Sequence, residues 1–345
     1  MKSHHCIYFE NSLDMSKIPS ESVDLVVTSP PYPMIAMWDE LFSARNEEVG
    51  NSLDKNNGIK AFELMHGILD SVWIELWRVV KDNGFVCINI GDATRNLNDV
   101  FSLYPNHARV ISKMLGLGFN PIPGILWSKL SNAPNKFMGS GMLPPGAYVT
   151  MEHEHILIFR KGGKREFTTD VGKIKRRESA FFWEERNVWF SDIWTDLRGM
   201  TQKLSDAETR KRSASFPFEL PYRLINMFSL KGDTVLDPFL GIGTTSLAAI
   251  STGRNSIGYE LETGFKDMIF SGIDKIIPVA NGMVDRRIEN HLSFVEERKA
   301  LGKEVKHINK HYNFPVVTKQ ETDLVLEKLV SVEIGSENLI EAKYI

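Results

Sequence analysis

Cysteine is scarce in this chain of 345 residues: Cys6 and Cys87 stand far apart, with no C-x-x-C spacing. That excludes a disulfide framework and speaks against a zinc site, so no metal is expected. No apolar run reaches the roughly eighteen residues a membrane helix needs. The opening residues MKSHHCIYFENS hold no signal-peptide apolar core, so a cytoplasmic protein without a membrane is expected. A large excess of charge is missing too. Lys and Arg number 41 against 44 Asp and Glu, a net charge of −3, which excludes a bulk polyanion binder. Repeats and low-complexity tracts are absent, and so is the dinucleotide fingerprint G-x-G-x-x-G. What is present, 42% hydrophobic and 25% charged residues, suits one large or two small soluble domains with a sizeable core.

Two segments stand out. The first is VDLVVTSPPYPMIAMW, which contains Ser29-Pro30-Pro31-Tyr32. Adjacent prolines fix two φ angles, remove two donors and push the preceding residues into extended geometry. A strand running into that corner aims a hydroxyl, carbonyls and an aromatic ring outward. Such a corner suits a flat amino-bearing heterocycle, although Pro-Pro-Tyr also occurs in plain loops. The second segment is DTVLDPFLGIGTTSLAAISTGRNSIGYELE. Val235-Leu236 reads as a strand closed by Asp237-Pro238-Phe239. Gly241 and Gly243 allow a tight turn. Thr244-Thr245 open an Ala-rich helix with a Ser/Thr-type N-cap. After Gly253 a second strand, Ile257 to Tyr259, carries Glu260 at its carboxyl end, where an acid can hold ribose hydroxyls.

The rest of the pattern alternates. Residues 6–27 read as strand, turn and strand Val23–Val27, and the polar stretch 44–58 as a loop. Met65, Ile68, Leu69, Val72, Leu76, Val79 and Val80 share one helical face within 61–83. FVCINI is a buried strand ending at Gly91-Asp92, and 107–117 a second helix stopped by Gly118. Strands follow near 123–127 and 155–160, and a helix begins between Pro217 and Pro221. The tail holds a mixed-charge helix near 284–303 and two short strands near 315–317 and 330–334. This alternation predicts an α/β sheet with helices on both faces and ligands beyond the carboxyl ends of its strands.

DPFLGIGTT resembles the S-adenosylmethionine motif of amino-methylating DNA methyltransferases, and TSPPY resembles their catalytic tetrad. Tetrad first and cofactor loop second is the order of the beta group, and Ser at the first tetrad position is similar to the cytosine-N4 type. The resemblance covers roughly residues 6–270. It implies a Rossmann-like methyltransferase sheet with circularly permuted motif order and a target-recognition insertion. It divides the chain into a catalytic half (1–160), a target-recognition region (161–212), a cofactor half (213–270) and an extension (271–345). It implies S-adenosylmethionine as cofactor, double-stranded DNA as substrate, and a restriction endonuclease of the same site as partner to a monomer or homodimer. Ser29, Pro30, Pro31 and Tyr32 become the catalytic residues. Asp237, Pro238, Phe239, Gly241, Gly243, Thr244 and Glu260 become cofactor-binding residues. In ENSLDMS, similar to a GDSxxxS segment, Asn11 can accept from an adenine amine; Asp14 is an alternative contact, with a turn or cap role preferred for it. In KRSASFPFELPYRLI, similar to a second cofactor motif, Phe216 walls the pocket; Arg212 and Ser213 depart from its usual His and Pro.

Residues 160–177 concentrate eight Lys and Arg among two acids, and Arg210-Lys211-Arg212 adds a second cluster. Beside the resemblance, Lys161, Lys164, Arg165, Lys173, Lys175, Arg176 and Arg177 are expected to contact DNA; a solvated surface loop is the plain alternative. Trp38 and Asp39 are candidates for the pocket, with Trp38 equally suited to the core. Asp92 is expected to cap a turn. His153 and His155 alternate at strand spacing, and a partly exposed strand is preferred to a metal pair.

Overall fold

The computed structural model describes residues 1–129, 138–197 and 216–345. Ten strands form one sheet: β1 Lys2–Tyr8, β2 Val23–Thr28, β3 Val80–Ile90, β4 Asn120–Ser128, β5 His153–Arg160, β6 Ile193–Trp194, β7 Thr234–Asp237, β8 Asn255–Tyr259, β9 Leu329–Ile334 and β10 Leu339–Tyr344. Their spatial order is β6-β4-β5-β3-β2-β7-β8-β1-β10-β9. The central strands β3, β2, β7, β8 and β1 run parallel. β5 runs against both β3 and β4.

β2 is buried throughout. Its Val23 and Val26 join one core layer and its Leu25 and Val27 the other. A continuous apolar run is what a parallel strand covered on both faces requires. The first layer is closed by α1 (Gly58–Val79) and α2 (Asn106–Leu117). The second is closed by α3 (Glu219–Phe228) and α4 (Thr244–Ser251). Parallel strands put their carboxyl ends on one side, so Tyr8, Thr28, Ile90, Asp237 and Tyr259 all end at the same edge.

Several elements differ from the sequence reading. Within the stretch 44–58 expected as a loop, residues 47–54 form a helix, which Asn46 caps by accepting from Glu48 N, and a helix over 39–45 precedes it. The tail is not separate from the main sheet. Its strands β9 and β10 extend that sheet beside β1, and its long helix α5 starts earlier than expected, at Ile276, and ends at Ala300. β10 (LIEAKY) went unread, although Ile340, Ala342 and Tyr344 alternate with the charged Glu341 and Lys343 and are buried. Among the described residues, no helix is long and apolar enough to cross a membrane.

Candidate active site

β2 and β7 are neighbours, with Val235 opposite Leu25 and Leu236 opposite Val26. The proline corner leaves β2 and the glycine bend leaves β7, so both turn outward side by side. Thr28 Oγ1 donates to Asp237 Oδ1 across 2.6 Å and fastens them. Asp237 also accepts from Thr245 Oγ1 (2.6 Å) and Phe239 N (3.0 Å). Burial nevertheless pushes its carboxyl up to about 6, against those three bonds. The N-cap of α4 is not a threonine. Gly243 takes that place at φ 89°, in the left-handed region, which leaves the Thr245 hydroxyl free for Asp237.

One cavity of about 570 Å³ opens between the corners, within the usual range for a small-molecule site. Asn11, Ser29, Pro30, Pro31, Tyr32, Phe216, Asp237, Pro238, Phe239, Gly241, Thr244 and Glu260 line it. Gly243 does not; it shapes the bend. Trp38 lines the cavity and also packs on the core, while Asp39 is held away by a two-pronged pair with Arg95 (2.8 and 2.6 Å). Asn11 Oδ1 accepts from Leu13 N at 3.2 Å, a turn contact. Among the described residues, the lining carries five carboxylates, Glu10, Glu40, Asp237, Glu260 and Glu262, against the single cation Arg45. Glu260 accepts from Gly241 N and Glu262 N, both at 2.7 Å. Burial and the nearby Asp237 charge outweigh those bonds and push its carboxyl up to about 7.

The tetrad is wired inward through residues that sequence reasoning passed over. Tyr32 donates its hydroxyl proton to Glu154 Oε2 at 2.9 Å and lies 3.1 Å from Ser29 Oγ. Asn89 Nδ2 donates to Tyr32 Oη (2.9 Å) and to Glu154 Oε2 (2.7 Å). Lys129 Nζ donates to Glu154 Oε1 at 2.7 Å. Burial, followed by the Glu154 charge, holds the Tyr32 hydroxyl well above its ordinary value, so it stays protonated. The signal was present in EHEH. Strand alternation that puts His153 and His155 on one face puts Glu154 on the other.

His155 stacks on His107 at 4.0 Å, and His107 Nδ1 lies 2.7 Å from Asp92 Oδ2. Asp92 also accepts from His107 N at the start of α2, the expected capping role. Stacked rings present faces rather than converging lone pairs, and burial lowers His155 to about 4. At a second cluster, His291 Nδ1 faces Glu184 and Nε2 faces the Pro315 carbonyl, so both ring nitrogens are engaged.

The basic segment lies at the other end of the sheet. β5 runs antiparallel and carries the chain away from the cleft before the cations begin. Lys161 is buried and donates to the carbonyls of Trp77 (2.8 Å) and Val80 (3.0 Å). Arg165 pairs with Asp233 at 2.6 Å, just before β7 begins, and Lys175 reaches the same carboxylate. Lys173 pairs with Asp170, and Arg176 covers the Phe167 ring. Lys164 and Arg177 are exposed near this end. The seven cations therefore lie at the amino ends of the strands, across the sheet from the cavity. The cluster Arg210-Lys211-Arg212 and the pair Arg212 and Ser213 fall outside the described residues.

The cleft rim carries other elements. A hairpin formed by Ala93–Leu97 and Val100–Tyr104 rises directly after β3. Its Phe101 stacks on Tyr148 at 4.5 Å, which ties it to the segment before β5.

Comparisons with known proteins agree with this geometry. A Type II methyltransferase, M.MthZI of Methanothermobacter thermautotrophicus, is 54% identical over 327 residues, 94% of this chain and 91% of that protein. M.MjaI of Methanocaldococcus jannaschii, also a Type II methyltransferase, is 50% identical over 278 residues, covering 77% and 90%. A candidate DNA modification methylase from Thermus thermophilus, solved with S-adenosyl-L-methionine, superposes with a TM-score of 0.61 at 30% identity, covering 79% of this chain and 96% of that one. The cytosine-N4-specific PvuII DNA methyltransferase shares the fold, with a TM-score of 0.51 at 20% identity, covering 81% and 92%. The DNA methylase family itself matches residues 23–271. With both corners of one cavity inside that span, the chain belongs to the DNA methylase family.

Proposed function

We propose that this DNA methyltransferase acts at specific sites on duplex DNA and transfers methyl to the exocyclic N4 of an extruded cytosine. Its cofactor is S-adenosylmethionine, which supplies an electrophilic methyl on a sulfonium. The cavity suits that group: its lining is acidic where the ligand is cationic, and Glu260 stands where ribose hydroxyls can donate. Phe216 and Phe239 supply apolar wall, Gly241 the close backbone approach, Gly243 the bend behind it, and Asn11 an acceptor for an adenine amine.

The target amine is a poor nucleophile because its lone pair is delocalised into the ring. Ser29 Oγ and the Pro30 carbonyl accept from its two protons and favour a more tetrahedral nitrogen. Tyr32, with its ring in the cavity and its hydroxyl anchored, stacks on the base; a base inside a duplex is out of reach. Holding amine and methyl in line supplies much of the rate. No covalent nucleophile is required, and Cys87 is buried with its thiol held far above the ordinary range.

We assign target recognition to the cleft rim, the hairpin 93–104 and the segment 138–149, rather than to 161–212. The observation that carries the reading is the shared cavity between a serine-led tetrad and the glycine bend. Nucleoside mass spectrometry of DNA from cells expressing the chain tests it. N4-methylcytosine is expected, and N6-methyladenine without it would move the assignment to adenine. DNA carrying neither base would remove the reading.

A further inference from the structure

The hydrogen bonds behind the tetrad have a fixed direction. Glu154 as a carboxylate only accepts, so the single Tyr32 proton points to it. Towards Ser29 the phenolic oxygen then has only lone pairs to offer, so the Ser29 proton points to Tyr32. Asn89 reinforces this direction by giving one N–H to each partner. Its amide orientation is set by the carboxylate, which would repel the amide oxygen; that oxygen, Oδ1, stays buried and without a hydrogen-bond partner among the described residues. Lys129 Nζ pairs with the other carboxylate oxygen, Glu154 Oε1, at 2.7 Å.

We propose that Glu154 is the terminal proton acceptor of the methyl transfer and acts through Tyr32 and Ser29. The proposal rests on the amine-methylating reading above but is indifferent to which base carries the amine. At rest, the chain leaves the Ser29 lone pairs facing the cavity, where they accept from the amine. In the reaction the amine nitrogen uses its lone pair to form the N–C bond. The C–S bond breaks, and its electron pair stays on sulfur. The nitrogen is left cationic with one proton too many. That proton passes to Ser29 Oγ as Ser29 passes its own to Tyr32 Oη, and Tyr32 passes its own to Glu154. The base ends neutral and methylated, both hydroxyls end as they began, and Glu154 ends as the acid before solvent takes the proton. Such a positioned acceptor contributes about 10²- to 10⁴-fold in rate.

The test compares Glu154→Gln, Tyr32→Phe and the double variant. Single-turnover methylation uses tritiated S-adenosylmethionine and plasmid DNA from a methylation-deficient host. Each single variant is expected to lose at least about 100-fold in rate at saturation. Cofactor affinity by fluorescence titration should stay within about twofold, and the double variant should be no slower than either single one. Tyr32→Phe keeps the ring, so a wild-type rate in that variant overturns the relay. Multiplying losses in the double variant, or a Glu154→Gln defect confined to affinity, overturn it too. A second readout needs no turnover. In the cofactor-free protein the Tyr32 hydroxyl proton should give an exchange-protected NMR resonance that Glu154→Gln shifts; an unshifted resonance overturns the assigned bond. Should wild-type protein methylate no DNA, the functional reading fails, and the NMR result still decides whether the bond exists.

Discussion

Replacing Asp237 with asparagine should reveal how the cavity stores a charge. The side chain is 2% exposed. Burial outweighs its three hydrogen bonds and pushes the carboxyl from 3.8 to about 6. A carboxyl raised on folding gives stability that is full below its unfolded value and lost as pH rises through the folded one. At about 1.4 kcal/mol per pH unit, that loss is about 3 kcal/mol by pH 7. Asparagine has the shape without the charge. Its Oδ1 can keep Thr28 and Phe239, and its Nδ2 can donate to Thr245. The Thr245 proton then turns to the Val27 carbonyl, 3.5 Å away. Asp237→Asn should therefore gain about 3 kcal/mol on wild type between pH 4 and pH 7. Urea unfolding followed by tryptophan fluorescence at four pH values reads this as a growing midpoint difference at constant m. A difference that stays flat with pH refutes the reasoning. Asp237→Ala strands the three donors instead; it should destabilise by about 1–3 kcal/mol for each unsatisfied group and weaken cofactor binding.

Tyr32→Ala should leave cofactor affinity largely intact and abolish transfer; an active variant would remove the stacking role. Gly243→Val forces a β-branched residue to φ 89° with its Cβ 3.2 Å from Ile269 Cγ2. It should cost about 1–3 kcal/mol in thermal unfolding and lower cofactor affinity in a binding titration, and unchanged binding would place the cofactor elsewhere. Glu260, with its carboxyl near 7, should accept from a ribose diol only when ionised. Cofactor affinity should then fall about tenfold per pH unit below pH 7, and a flat isothermal titration series from pH 6 to 8 would contradict that.

The fold was legible wherever one period dominated. β2 reads as a strand because all of VDLVVT is buried, and α1 as a helix because its apolar positions recur at helical spacing. The cavity was legible because both of its corners are short and rigid, so local sequence carries their geometry. The face that Glu154 takes was legible in EHEH, but its meeting with Tyr32, Asn89 and Lys129 was not, because it depends on β5 and β3 pairing antiparallel, a non-local fact. The placement of the cations at 161–177 was not legible for the same reason. Charge clustering gives no direction, and only the sense of β5 shows that they face the far end, where Lys161 and Arg165 satisfy buried carbonyls and Asp233.

Three consecutive residues serve two chemically distinct surroundings. Glu154 enters the tyrosine network, while His153 and His155 meet behind it beside His107. Parity along one strand thus separates an anionic wall from an aromatic one. A single inserted or deleted residue there would exchange the two, putting an imidazole where the carboxylate belongs. A change of two residues would keep that parity, and the loops at the cleft mouth can change in length without disturbing it.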